Sequence, residues 1–112
     1  MTDALASIHA FDPTPTGIAP ILRAANCEVW GDVEVTRWAY PMRDAVIDLD
    51  APLVAIEAAA LGAGWSCVRR MTFSLWVESP RGQRFMVLSG GVRHPEDGKE
   101  PAVTGTAEMV AS

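Results

Sequence analysis

Cysteine, histidine, tyrosine and lysine are all scarce in this sequence of 112 residues. The two cysteines, Cys27 and Cys67, form no Cys-x-x-Cys pair and have no metal-type spacing to a histidine. That excludes a disulfide framework and a zinc ribbon. It points instead to two reduced, buried thiols in a cytoplasmic protein. A disulfide between them would need their strands to be neighbours, which spacing alone does not fix. The longest apolar stretch, Leu53–Val68, is broken by Glu57, Gly62, Gly64 and Ser66 and is too short to span a bilayer. The segment Met1-Thr2-Asp3-Ala4-Leu5-Ala6 lacks the basic start and apolar run of a signal peptide. There is no glycine-rich phosphate loop, no Gly-x-Ser-x-Gly and no His-x-x-x-His. The two histidines, His9 and His94, fall in segments that read as terminal or irregular. No catalytic residue, metal or cofactor is therefore assigned.

What is present describes a folded chain. Hydrophobic residues make up 49% and charged residues 21%, the balance of a globular domain rather than a disordered one. The length fits one domain: an irregular N-terminal segment over 1–16, a core over 17–92, and a loosely ordered tail over 93–112. The net charge of -5 argues against a general nucleic-acid binder. The expected fold is α+β, a mainly antiparallel sheet of about four strands with one principal helix near 51–61 packed on one face.

Pro13 and Pro15 break any helix begun at Asp3–Ala10. Ile18–Ala25 reads as a short helix stopped at Asn26. Over 27–40, Cys27, Val29, Val33 and Val35 share one parity, and Trp30, Trp38 and Tyr40 the other. A single strand bent at Gly31 keeps that alternation intact, whereas a hairpin there mixes polar and apolar residues on both sides. Pro41-Met42-Arg43-Asp44 reads as a turn and Ala45–Leu49 as a short strand. Asp50 suits the N-cap of the following helix, with Pro52 in its first turn and Gly62 and Gly64 ending it. That helix is apolar on every side, so it must be covered on most of its circumference.

Ser66–Gly91 reads as a hairpin about Ser79-Pro80-Arg81-Gly82, a type I turn with proline second and a glycine suited to a bulge. The turn sets the register: Val77 faces Phe85, Leu75 faces Val87 and Phe73 faces Ser89 on one side. On the other side Glu78 meets Arg84, Trp76 meets Met86, and Ser74 meets Leu88. Matched charges and matched apolar pairs agree with it.

Three constellations bear on function. Asp44, Asp48 and Asp50 lie close together but lack the glycine and terminal glutamate of a calcium loop, so a solvated edge and a helix cap account for them. Arg69, Arg70, Arg81, Arg84 and Arg93 fall in one stretch against Glu78 alone, which allows phosphate contact through the hairpin. No interleaved pair of stacking aromatics accompanies them. The aromatic placement weighs most: the strand parities put Trp30, Trp38 and Trp76 on the sheet face away from the helix, and several tryptophans on one face suggest a covered surface.

The function expected on these grounds is that of a non-enzymatic binding or accessory protein, meeting a second copy of itself or another protein through this face. Trp30, Trp38, Trp76 and Met86 would be the anchors and Arg70 and Arg84 the rim. An alternative is a small-molecule binder or small enzyme with a pocket between helix and sheet. Cys67, Arg69, Ser89, Gly90 and Gly91 would line it, Arg69 being a charge on the core parity that needs a partner. The third reading is nucleic-acid contact through the arginine-rich hairpin.

Overall fold

The computed structural model describes residues 17–31, 35–42, 47–94 and 100–110. The expected helix over Asp3–Ala10, His9 and Asp44 lie outside them. Helix α1 (Ile18–Ala24) is entered by Gly17 at φ +103 and left through Asn26 at φ +70. Glycine and asparagine are the residues that take this left-handed conformation at least cost. Helix α2 (Ala51–Gly62) has Pro52 in its first turn, but its cap is not the expected one. Asp48 Oδ1 accepts the N–H groups of Asp50 and Ala51, at 2.9 and 3.3 Å. Asp50 holds the cap position without capping, because its carboxylate is turned to Arg70.

Six strands form one sheet: β1 (Glu28–Gly31), β2 (Thr36–Pro41), β3 (Ser66–Met71), β4 (Ser74–Glu78), β5 (Arg84–Arg93) and β6 (Ala102–Val110). Their order is β1-β2-β6-β5-β4-β3, and every neighbouring pair is antiparallel. The α+β class, the short helix expected at Ile18–Ala25 and the principal helix packed on one face are as expected, but six strands replace about four.

The added strands have three origins. The segment expected as one strand holds two, β1 and β2, paired antiparallel with Gly31 opposite Thr36. Gly31 is at φ +133, and a Cβ there would strike the Val35 carbonyl, so only glycine closes this turn. Residues 66–78 are two strands joined at Thr72-Phe73, with Phe73 at φ +64. Residues 102–110, expected as loose tail, form β6 between β2 and β5. Of the strand expected at 45–49, residues 47–49 are irregular and the remainder lies outside the described residues. The β4–β5 register is the one read from the turn in the five pairs from Ser74 to Glu78, while Phe73, expected opposite Ser89, stands at the chain reversal with its carbonyl accepting the Ser89 N–H at 2.9 Å. Gly82 N–H bonds the Ser79 carbonyl at 2.9 Å and Gly82 sits at φ +87.

Both helices pack on one face of the sheet. Ile18, Ile21, Leu22, Leu53, Ile56 and Ala60 meet Trp38, Leu75, Val77, Phe85, Val87 and Val103 in one buried cluster. Trp65 stacks obliquely on Phe85 with centroids 5.6 Å apart.

The position of Trp38 corrects the sequence reading. The β1–β2 hairpin pairs Val29 with Trp38, and directly paired residues share a face. A continuous strand would have separated them. Trp38 is therefore fully buried under the helices, not on the opposite face. Its indole lies against Gly105, and its Nε1 donates to the Thr106 carbonyl at 3.1 Å. A Cβ at Gly105 would come under 3.0 Å from the Leu88 carbonyl oxygen and from two atoms of the indole. Here glycine marks a close approach.

Candidate interaction face

The register defines the face that the helices leave uncovered. Opposed residues in antiparallel strands point the same way, so side chains line up in rows across the sheet. One row runs Arg69, Trp76, Met86, Glu108 over β3-β4-β5-β6. The next runs Met71, Ser74, Leu88, Thr106, Arg37, Trp30 from one edge of the sheet to the other. A third carries Ser66, Glu78, Arg84 and Val110. Trp30 is 46% exposed and Leu88 37%, while Trp76 and Met86 are half-buried. Among the described residues, no helix or strand lies over these rows.

At the far end of this face Arg93 holds Glu28 in a forked pair, Nη1–Oε1 at 3.0 Å and Nη2–Oε2 at 3.2 Å. β6 and β2 lie between their strands. The bridge thus passes over small residues of those strands, where Ala102 and Ala39 are fully buried. The pairing with Glu28 raises the Arg93 pKa further above its ordinary value. Arg84 Nε donates to Glu78 Oε1 at 2.8 Å. Arg37, Arg69 and Glu108 make no side-chain hydrogen bond or ion pair within the described residues, although they stand on the same face.

The reversal at Thr72-Phe73 exchanges two expected roles, pairing Arg70 with Leu75 and Arg69 with Trp76, so that Arg70, not Arg69, faces the helices. A bulge between Cys67 and Arg69 then returns Cys67 to the helix side, opposite Val77. Arg70 there pairs with Asp50 and lies 3.9 Å from Glu57. Arg69 pairs in register with Trp76 and is exposed. Arg70 therefore serves the junction of α2 and the sheet edge, not the rim of the outer face.

The five residues of the expected pocket do not converge. Cys67 is on the helix side and Arg69 on the other. Ser89 is buried on the helix side, its hydroxyl donating to the Leu49 carbonyl at 2.7 Å. Gly90 is the bulge between Ser89 and Gly91, and Gly91 abuts Thr104. Both cysteines are free. Burial pushes the Cys27 thiol up to about 12. Cys67 is raised by burial and then by its hydrogen bond to Glu57. Both shifts run opposite to the lowered pKa of an activated nucleophile. Within the described residues no three His, Cys, Asp or Glu side chains are grouped to hold a metal, and no helix is long and apolar enough to cross a membrane.

Sequence reasoning missed Arg37, Thr106 and Glu108 on the outer face. The alternation in 102–110, with Val103, Ala107 and Met109 against Thr104, Thr106 and Glu108, was the available signal. No family model, curated protein or solved structure matches the chain.

Proposed function

We propose that this is a non-enzymatic binding protein whose outer sheet face docks a second copy of the same chain. One observation carries this: both helices cover one side of the sheet, and the other side presents Trp76, Met86, Leu88 and Trp30 in adjoining rows. Exposed and half-buried aromatic, leucine and methionine side chains with arginines at their margin have the composition of an interface centre. The anchors are Trp30, Trp76 and Met86 of the original set, with Leu88 in place of Trp38 and Arg69 in place of Arg70. Of the five arginines between 69 and 93, Arg70, Arg84 and Arg93 are each held by a carboxylate. That leaves little free positive charge for a phosphate backbone and favours a protein partner over nucleic acid.

Sedimentation equilibrium at micromolar protein tests this. The expected mass is twice the 12.0 kDa of the chain. Leu88→Asp, in the exposed centre, is expected to give a monomer with unchanged far-UV circular dichroism. A wild-type monomer overturns the proposal. So does a dimer indifferent to Leu88→Asp but broken by Leu61→Glu on the exposed side of α2.

A further inference from the structure

The order of side chains within the rows goes further and names how two copies would meet. The row Arg69, Trp76, Met86, Glu108 begins with a cation and ends with an anion. Neither charge has a side-chain partner among the described residues. Its midpoint falls between β4 and β5. The row Ser66, Glu78, Arg84, Val110 changes sign across the same line, with Glu78 on β4 and Arg84 on β5.

A two-fold axis in the plane of the interface, running along the strands over this line, exchanges β4 with β5 and β3 with β6 between copies. Each row then stacks on its own reverse. Arg69 faces Glu108, Trp76 faces Met86, Glu78 faces Arg84, and Ser74 faces Leu88. No pair of like charges results in either row. An axis displaced by half a strand spacing onto β5 would lay Met86 on Met86 and Arg84 on Arg84, with Trp76 on Glu108. That arrangement opposes two arginines at the centre.

We infer that the protein forms a face-to-face dimer about the line between β4 and β5, held at its margins by Arg69 of each copy on Glu108 of the other. This rests on the preceding proposal that a second copy occupies the face. Face-packed sheets sit about 10 Å apart, a gap that an arginine and a glutamate span together. Strands in such a packing stay within about 30° of alignment, which keeps rows over rows. The β1–β2 wing, with Trp30 and Arg37, extends beyond the partner's edge strand β3, so this register narrows the buried anchors to Trp76, Met86 and Leu88. An isologous contact of this kind uses each pair twice.

The test is a charge exchange. Arg69→Glu opposes two glutamates at both margins, and Glu108→Arg opposes two arginines. Each single variant is expected to weaken the dimer about tenfold or more at physiological ionic strength, because facing like charges are costly. The double variant restores the pairs in reverse and is expected to dimerise within about threefold of wild type. Far-UV circular dichroism should be unchanged throughout, since neither side chain holds an ion pair or hydrogen bond among the described residues. Singles that dimerise like wild type, or a double variant that fails to recover, overturn this register while leaving the docking face intact. A monomeric wild type overturns both proposals.

Discussion

Gly105→Ala removes nothing from the protein and adds one methyl group, yet it is expected to be among its most damaging substitutions. The new Cβ would fall under 3.0 Å from the Leu88 carbonyl oxygen, which is backbone, and from the indole of Trp38. The carbonyl belongs to a strand paired on both sides and cannot swing away. The indole must move instead, and it is fully buried. A tryptophan side chain buries about 150–250 Å². At about 25 cal/mol per Å² that is roughly 4–6 kcal/mol if the ring is wholly expelled. Partial displacement forfeits about half of this, and losing the Nε1–Thr106 bond adds about 1 kcal/mol. The expected cost is about 3–4 kcal/mol, a large share of a domain's stability. Urea unfolding followed by circular dichroism measures it, and tryptophan emission should shift to the red in the native baseline. Gly90→Ala is the control, since a Cβ there meets nothing within 4 Å. It should lie within about 1 kcal/mol of the parent. The reasoning fails if Gly105→Ala costs less than about 1 kcal/mol, or if Gly90→Ala costs as much.

Two further predictions concern buried polar atoms. Cys27 has its pKa raised to about 12 by burial, so the unfolded chain releases the thiol proton first as pH rises. Its contribution is intact below the unfolded pKa and is lost on the way up to the folded one. Wild type should lose about 2 kcal/mol more stability than Cys27→Ala between about pH 8 and 10.5; parallel pH profiles would refute this. Thr36 is fully buried, and its Oγ1 has no hydrogen-bond partner among the described residues. Thr36→Val keeps the shape and removes the unpaired hydroxyl, so a gain of about 1 kcal/mol is expected in the same urea assay. A loss of that size would show that the hydroxyl is satisfied.

What was legible in the sequence was whatever a local turn encodes. Ser79-Pro80-Arg81-Gly82 fixes β4 against β5 because proline sets φ at the second position and Gly82 takes the left-handed one. The apolar run 51–61 gave α2 within one residue of its end. Two failures share one cause. Parity arguments assume an unbroken strand, and the chain reverses at Thr72-Phe73 with no glycine or proline to announce it. That reversal exchanges the faces of Arg69 and Arg70, and the bulge beside Val68 returns Cys67 to the helix side. β6 escaped notice because Ala, Gly and Thr fill most of it. Those small residues are what a central strand under Trp38 and beside a bulge requires, and they look featureless in isolation. The single-strand readings of 27–40 and 66–78 misplaced Trp38, Arg69 and Arg70, and reading 93–112 as a tail left out Glu108, whereas Leu88 already stood on this face through the Ser74–Leu88 pair of the turn register.

Charge places a constraint on how such a dimer can be held. Each copy carries a net charge of -5, so two copies repel at long range. Association must come from contacts that outweigh this, and the two terms answer differently to salt. The repulsion acts over the molecular dimensions of 44 × 33 × 23 Å, whereas the Debye length at about 0.1 M salt is about 10 Å. Moderate salt therefore removes most of the repulsion. It weakens a facing Arg69–Glu108 pair less, because its charges lie within a few ångströms and are partly shielded from solvent. Affinity that rises from very low salt to physiological strength is thus what a locally complementary, globally acidic pair should show. Affinity falling steadily over that range would instead indicate a basic patch gripping an acidic one at a distance, which the neutralised Arg70, Arg84 and Arg93 leave little charge to build.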